Sequence, residues 1–238
     1  KFINWQGTCI MIDPLLKGFD MPLLIDIPIL PKDVPHLDAV LITHCDNDHY
    51  SRVTCSEMKD VCDEYHSTEY LAELMKEEGL KAFGHKIKET FEIGPVKVTL
   101  TPADHAWQNE SSKHATRLFK FEDYCGFWLE TPDGTIWMPG DSRLLQEHLE
   151  MPVPDVILMD FSDSKWHIGL EGAVKLAEAY PNTPLLLLHW GTVDAPHMAE
   201  FNGDPKELEK LIINPERINV VAPGEPFLLK HLNKTNIG

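Results

Sequence analysis

Residues 41–51 read LITHCDNDHYS, with two histidines and two aspartates packed into positions 44–49 directly behind a short apolar run. That run, DAVLIT (38–43), is apolar and β-branched, which predicts a short buried strand. Side chains set just past the end of such a strand are presented by a rigid frame, so this stretch reads as a comb of ligands.

Three further strand ends carry the same residue types. His105 follows VKVTLTPA (96–103), Asp141 closes the hairpin YCGFWLETPDGTIWMPGD (124–141), and His189 ends the apolar run in LLLLHW (185–190). Each has a plainer reading by itself: Asp141 as a turn residue, His189 as a core histidine. Together, His44, Asp46, Asp48, His49, His105, Asp141 and His189 come from four strand ends in chain order. Seven imidazoles and carboxylates suit two adjacent divalent ions better than one.

The rest of the chain alternates in the same manner. GTCIMIDP (7–14), VILMDF (156–161) and INVVAP (218–223) read as strands. Helices are expected over 54–62, with Thr54 and Glu57 as a capping box, over 67–78, stopped by Gly79, over 170–180, and over 205–212 after Asp204-Pro205. Pro132-Asp133-Gly134 is a hairpin turn. Mixed strands and helices without a linker or repeat predict a layered α/β sandwich, one domain over 1–238.

Composition bounds the function. The chain has 238 residues, 43% hydrophobic, and a formal charge of −17, which disfavours a nucleic-acid partner and docking on anionic lipid. Five cysteines, without a CxxC pair, fit a reducing compartment, and a cytoplasmic location is expected. There is no signal-like segment and no apolar run of about 18 residues that would span a bilayer. The chain opens at Lys1 inside an ordered-looking segment, so a trimmed N-terminus is expected.

The order HxxxDH, H, GD, H resembles the metallo-β-lactamase fold superfamily. The contexts IDP, DAVLITH, TPADHAW, GFWLETPDGTIWMPGDS, LHWGT and PGEPF are similar to the branch that holds L-ascorbate-6-phosphate lactonase and N-acyl-phosphatidylethanolamine phospholipase D. The likeness runs from Gly7 to Leu229. It implies a four-layered αββα sandwich with metals at one edge and a first hairpin, ahead of IDP, that is shortened here. By position it implies that His44, Asp46 and His105 hold one metal, that Asp48, His49 and His189 hold the other, and that Asp141 bridges them. Asp13 would brace the metal loops.

One position departs from the pattern. The superfamily reads HxHxDH and this chain reads HxDxDH, with Asp46 at the second place. Two divalent ions, three carboxylates and a bridging hydroxide give a neutral ligand set, one positive charge fewer than with histidine. Harder oxygen donation shifts preference from zinc toward manganese or iron. The expected cofactors are two divalent metal ions, zinc first, with manganese or iron as alternatives.

The expected chemistry is hydrolysis of a small ester, lactone or phosphoester by water activated between the metals. A di-iron redox protein and a non-catalytic binding module are the alternatives. The resemblance places His167 where relatives have a site-facing residue, expected to donate a proton to the leaving group or to bind substrate. Arg117 is expected to hold an anionic group from the polar segment 106–120, and Trp190, with Trp107 and Trp166, to wall the pocket. Ser142 and Cys45 read as packing. The expected partner is a small-molecule substrate, with no nucleic acid and no stable membrane association; a homo-oligomer is left open.

Overall fold

The computed structural model describes residues 1–115 and 117–229. One sheet has five strands in spatial order: β1 (Phe2–Trp5), β2 (Thr8–Ile12), β3 (Ala39–Leu41), β4 (Tyr65–Thr68) and β5 (Ala82–His85). β1 and β2 are antiparallel, and β2 to β5 are parallel. The other sheet has seven: β6 (Thr90–Ile93), β7 (Val96–Pro102), β8 (Cys125–Thr131), β9 (Gly134–Met138), β10 (Val156–Asp160), β11 (Leu185–Leu188) and β12 (Ile218–Asn219). It is antiparallel from β6 to β9 and parallel from β9 to β12.

Parallel neighbours need crossovers, and helices supply most of them. α1 (Arg52–Met58) joins β3 to β4, α2 (Glu69–Glu77) joins β4 to β5, α3 (Gly169–Ala179) joins β10 to β11, and α4 (Pro205–Glu209) precedes β12. The period of two along each strand decides the layers. Ile10, Ile12 and Leu41 meet Leu100, Phe127 and Leu158 between the sheets. Met11, Val40 and Ile42 face the other way, onto Met58, Leu71 and Met75 of α1 and α2. Trp137, Ile157 and Leu187 likewise pack on Leu176, Ala177 and Leu208 of α3 and α4. Both faces of the central strands are covered, which is why their sequences are almost continuously apolar. The result is the expected αββα sandwich.

Local boundaries differ from the sequence reading. The cap of α1 is Ser51, whose Oγ accepts from the Thr54 N–H at 3.2 Å. Thr54 is buried one turn in and its hydroxyl instead ties down Leu16 and Lys17; the helix ends at Met58, short of residue 62. α2 starts at Glu69 because Tyr65–Thr68 is a strand, and α4 stops at Glu209. The hairpin expected to be shortened is formed, with Phe2 to Trp5 paired along Thr8 to Met11.

The strands that feed the ligand comb end at a shared edge. His44 follows β3, His105 follows β7, Asp141 follows β9, Asp160 ends β10 and His189 follows β11. The carboxyl ends of parallel strands are where open α/β sheets place their ligands. Among the described residues, no helix is long and apolar enough to cross a membrane.

Candidate metal centre

The loop after β3 is anchored from behind by Asp13. Its carboxylate accepts from the Thr43 N–H at 2.8 Å, the Thr43 hydroxyl at 2.9 Å and His49 Nδ1 at 2.8 Å. Thr43 Oγ1 has spent its proton on Asp13, so at 3.0 Å it accepts from His44 Nδ1. His105 Nδ1 donates to the Trp166 carbonyl at 2.8 Å and His189 Nδ1 to the Glu200 carbonyl at 3.1 Å. Four imidazoles therefore donate through Nδ1, which turns each Nε2 toward the centre.

The Nε2 atoms converge on carboxylates. Asp46 Oδ2 lies 3.2 Å from His44 Nε2 and 3.6 Å from His105 Nε2. Asp48 Oδ2 lies 3.6 Å from His49 Nε2 and 3.3 Å from His189 Nε2. Asp141 Oδ2 sits between the two sets, 2.9 Å from His49 Nε2 and 3.1 Å from His189 Nε2. Donor atoms of His44, His105 and Asp141 lie within 4.8 Å of one another, as do those of Asp48, His49 and His189. His44 and His49 are buried with Nε2 lacking a hydrogen-bond partner; the 2.9 Å approach of Asp141 is not aligned as a hydrogen bond. A buried ring nitrogen without a partner is costly unless a cation takes its lone pair. The donor set thus fits divalent metal ions.

Electrostatics agree. Burial works against the charged form of His49, but Asp141, Asp48 and Asp13 override it and hold its pKa well above the usual range. Burial is outweighed in the same way at His189, chiefly by Asp141 and Asp48. Asp141, though buried, is held well below the usual carboxylate range by His189, His49 and His167. The pocket calls for positive charge, and apart from Lys1, 3.6 Å from Asp13, the described charge near these carboxylates comes from imidazoles.

Two of these residues occupy the left-handed backbone region, Asp13 at φ +45° and His189 at φ +62°. Side chains other than glycine adopt it at a cost on the order of 1–3 kcal/mol, and such residues concentrate at functional sites.

His167 is brought to the centre, its Nδ1 3.8 Å from Asp141 Oδ2 and 2.6 Å from Asp160 Oδ2. Sequence reasoning missed Asp160; the signal was a carboxylate ending the apolar strand VILMD. It also missed Gln108, which donates to Asp46 Oδ1 at 2.5 Å, and Trp107 turns its N–H to Asp46 Oδ2 at 2.7 Å. Arg117 is not gathered with these residues: its guanidinium binds Asp123 at 2.5 Å and lies 3.5 Å from the centre of the Tyr70 ring. Trp190 packs against the cluster under α3, its N–H 3.4 Å from the Leu187 carbonyl. Ser142 accepts from the Asp104 N–H and donates to the Arg143 carbonyl, and burial pushes the Cys45 thiol up to about 12.

Comparison with known proteins gives a consistent picture. The family model described as Beta-lactamase superfamily domain matches residues 8–190. A metal-dependent hydrolase of Pyrococcus furiosus is 25% identical over 228 residues, covering 92% of this chain and 92% of its own. Among solved structures, a possible metal-dependent hydrolase from Veillonella parvula superposes with TM-score 0.74 at 21% identity, covering 94% of each chain. An isothiocyanate hydrolase from Delia radicum gut bacteria superposes with TM-score 0.73 at 16% identity, covering 96% of this chain and 95% of that one.

Proposed function

The chain belongs to the beta-lactamase superfamily and has its metallo-β-lactamase fold, and from that premise we propose that it is a metal-dependent hydrolase with a dinuclear centre that cleaves a small ester, lactone or phosphoester. The single observation that carries this reading is the set of four imidazoles, each locked at Nδ1, that turn Nε2 toward Asp46, Asp48 and Asp141, with two of those nitrogens buried and unpartnered. His44, Asp46 and His105 would hold one ion, Asp48, His49 and His189 the other, and Asp141 would lie between them.

The chemistry such ions supply when bound is activation of water at neutral pH and polarisation of the scissile carbonyl or phosphoryl oxygen. The chain's own groups do the rest. Asp13 and Thr43 fix the tautomers of His49 and His44. Asp160 accepts from His167 Nδ1, which leaves Nε2 to take up the proton released by the attacking water and return it to a departing alkoxide. The local likeness to the lactonase-containing branch favours a small substrate, and Trp166 and Arg143, whose guanidinium lies 4.6 Å from the indole ring centre, are the side chains that would rim it.

The test is elemental analysis of protein purified without chelators, followed by a panel of lactones, phosphodiesters and isothiocyanates. Two equivalents of zinc or manganese with turnover on the panel support the reading. No metal after soaking in each ion overturns it. Two equivalents of iron would bring forward a redox role, which the extra carboxylate Asp46 favours as a hard oxygen donor.

A further inference from the structure

Asp46 is gripped unlike any other group in the centre. Trp107 Nε1 donates to its Oδ2 at 2.7 Å and Gln108 Nε2 donates to its Oδ1 at 2.5 Å. The Tyr124 hydroxyl in turn donates to Gln108 Oε1 at 2.5 Å. This last bond decides which way the amide faces. A carboxylate only accepts, so Gln108 must offer it the N–H, and its carbonyl is then left for Tyr124. Gln108 and Tyr124 are each 1% exposed, so the bond between them is shielded from solvent. Trp107 and Gln108 sit in the turn Trp107–Glu110 immediately after His105. One short segment thus delivers both an imidazole and the two donors that hold its neighbouring carboxylate.

We infer that Trp107, Gln108 and Tyr124 form a positioning relay that adapts one of the two metal positions to an aspartate where the superfamily pattern has a histidine, and that they set the affinity and metal preference of that position. The inference rests on the dinuclear reading above. An imidazole at this place would be oriented by an acceptor behind its Nδ1, whereas a carboxylate needs donors. Gln108 occupies Oδ1 and leaves Oδ2, between His44 Nε2 and His105 Nε2, to act as a one-oxygen ligand. The Trp107 N–H shares that oxygen and draws charge from it. The position is therefore a hard, modest donor suited to manganese or iron(II) rather than zinc. Partners that hold ligands in this way are worth about 10- to 100-fold in metal affinity.

The experiment is calorimetric titration of the full chain, freed of metal, with Mn²⁺ and separately with Zn²⁺. Gln108→Met removes both the N–H donor and the carbonyl acceptor of the amide at nearly constant volume, and Tyr124→Phe removes one oxygen atom. Gln108→Met is expected to lose about 10- to 100-fold in Mn²⁺ affinity at one position, the position also lost in Asp46→Ala, with the second unchanged as an internal check of folding. Tyr124→Phe should give a smaller loss at the same position. In an Asp46→His background the Gln108→Met change should cost no affinity, because the donor has lost its acceptor. Two positions of unchanged affinity in Gln108→Met would overturn the relay and leave the dinuclear reading standing. Equal loss at both positions in Tyr124→Phe would also overturn it. A wild-type chain that binds neither ion would overturn both.

Discussion

Asp160 Oδ2 and His167 Nδ1 stand 2.6 Å apart, both side chains buried, joining the end of β10 to the loop ahead of α3. The pair fixes which ring nitrogen of His167 faces outward from Asp160, and that nitrogen is the one available to a leaving group. His167→Gln should lower kcat about 100-fold or more on an alkyl ester and much less on a p-nitrophenyl ester, whose leaving group departs without a proton. Asp160→Asn should fall in the same direction by a smaller factor. Equal losses on both esters would assign His167 a role other than proton donation.

On the dinuclear reading, Asp46 separates the two metal positions experimentally. Asp46→Ala should drop the metal content from two equivalents to one, read by elemental analysis after dialysis. Asp46→His should keep two and shift preference toward zinc, since imidazole is the softer donor. Unchanged content in Asp46→Ala would remove this residue from the ligand set.

Asp141 lies within reach of both sets. Asp141→Asn retains its shape and removes the charge that His49 and His189 share, so kcat should fall on the order of a thousandfold on any accepted ester. A loss of only a few fold would mean that the nucleophile is not organised by this carboxylate.

A separate histidine pair predicts an acid limit to stability. His66 Nδ1 lies 2.9 Å from His85 Nε2, under the ring of Phe91. Burial lowers the His66 pKa from 6.5 to about 4. The folded state therefore resists a proton that the unfolded chain accepts. The stabilisation is whole above pH 6.5 and is lost as pH falls toward 4, on the order of 3 kcal/mol across that window. Urea unfolding at pH 7 and pH 5 should show a larger loss in the wild type than in His66→Phe. Identical losses would contradict the assignment.

Much of this architecture is legible in the residues. The apolar runs DAVLIT, VILMDF and LLLLHW mark strands covered on both faces, and the His and Asp residues beyond strand ends converge as their spacing implies. What escaped the sequence has physical causes. Strand β4, YHST, is polar yet fully buried, so no hydrophobic period announces it. Asp160 reads as the last residue of a strand until the fold sets it against His167. Gln108 carries no pattern at all, because its role is fixed by Tyr124, which lies just ahead of β8. The left-handed backbone at His189 and Asp13 is a tertiary imposition on residues that prefer other regions. Arg117 looked available as a lone cation in a polar segment, and only the fold places Asp123 and Tyr70 on it.

The division of the centre between the two sheets has one more consequence. His44, Asp46, Asp48 and His49 hang from the five-stranded sheet, while His105, Asp141 and His189 hang from the seven-stranded one. Sliding one sheet past the other by a single residue, about 3.3 Å, would exceed the 2.9 Å that separates His49 Nε2 from Asp141 Oδ2. The constellation is therefore a vernier: it comes into register at one setting of the sandwich and at no neighbouring setting. Leu100 and Phe127, deep between the sheets, help to hold that setting, and a change of one methyl group there should be felt at the centre before it is felt in the fold.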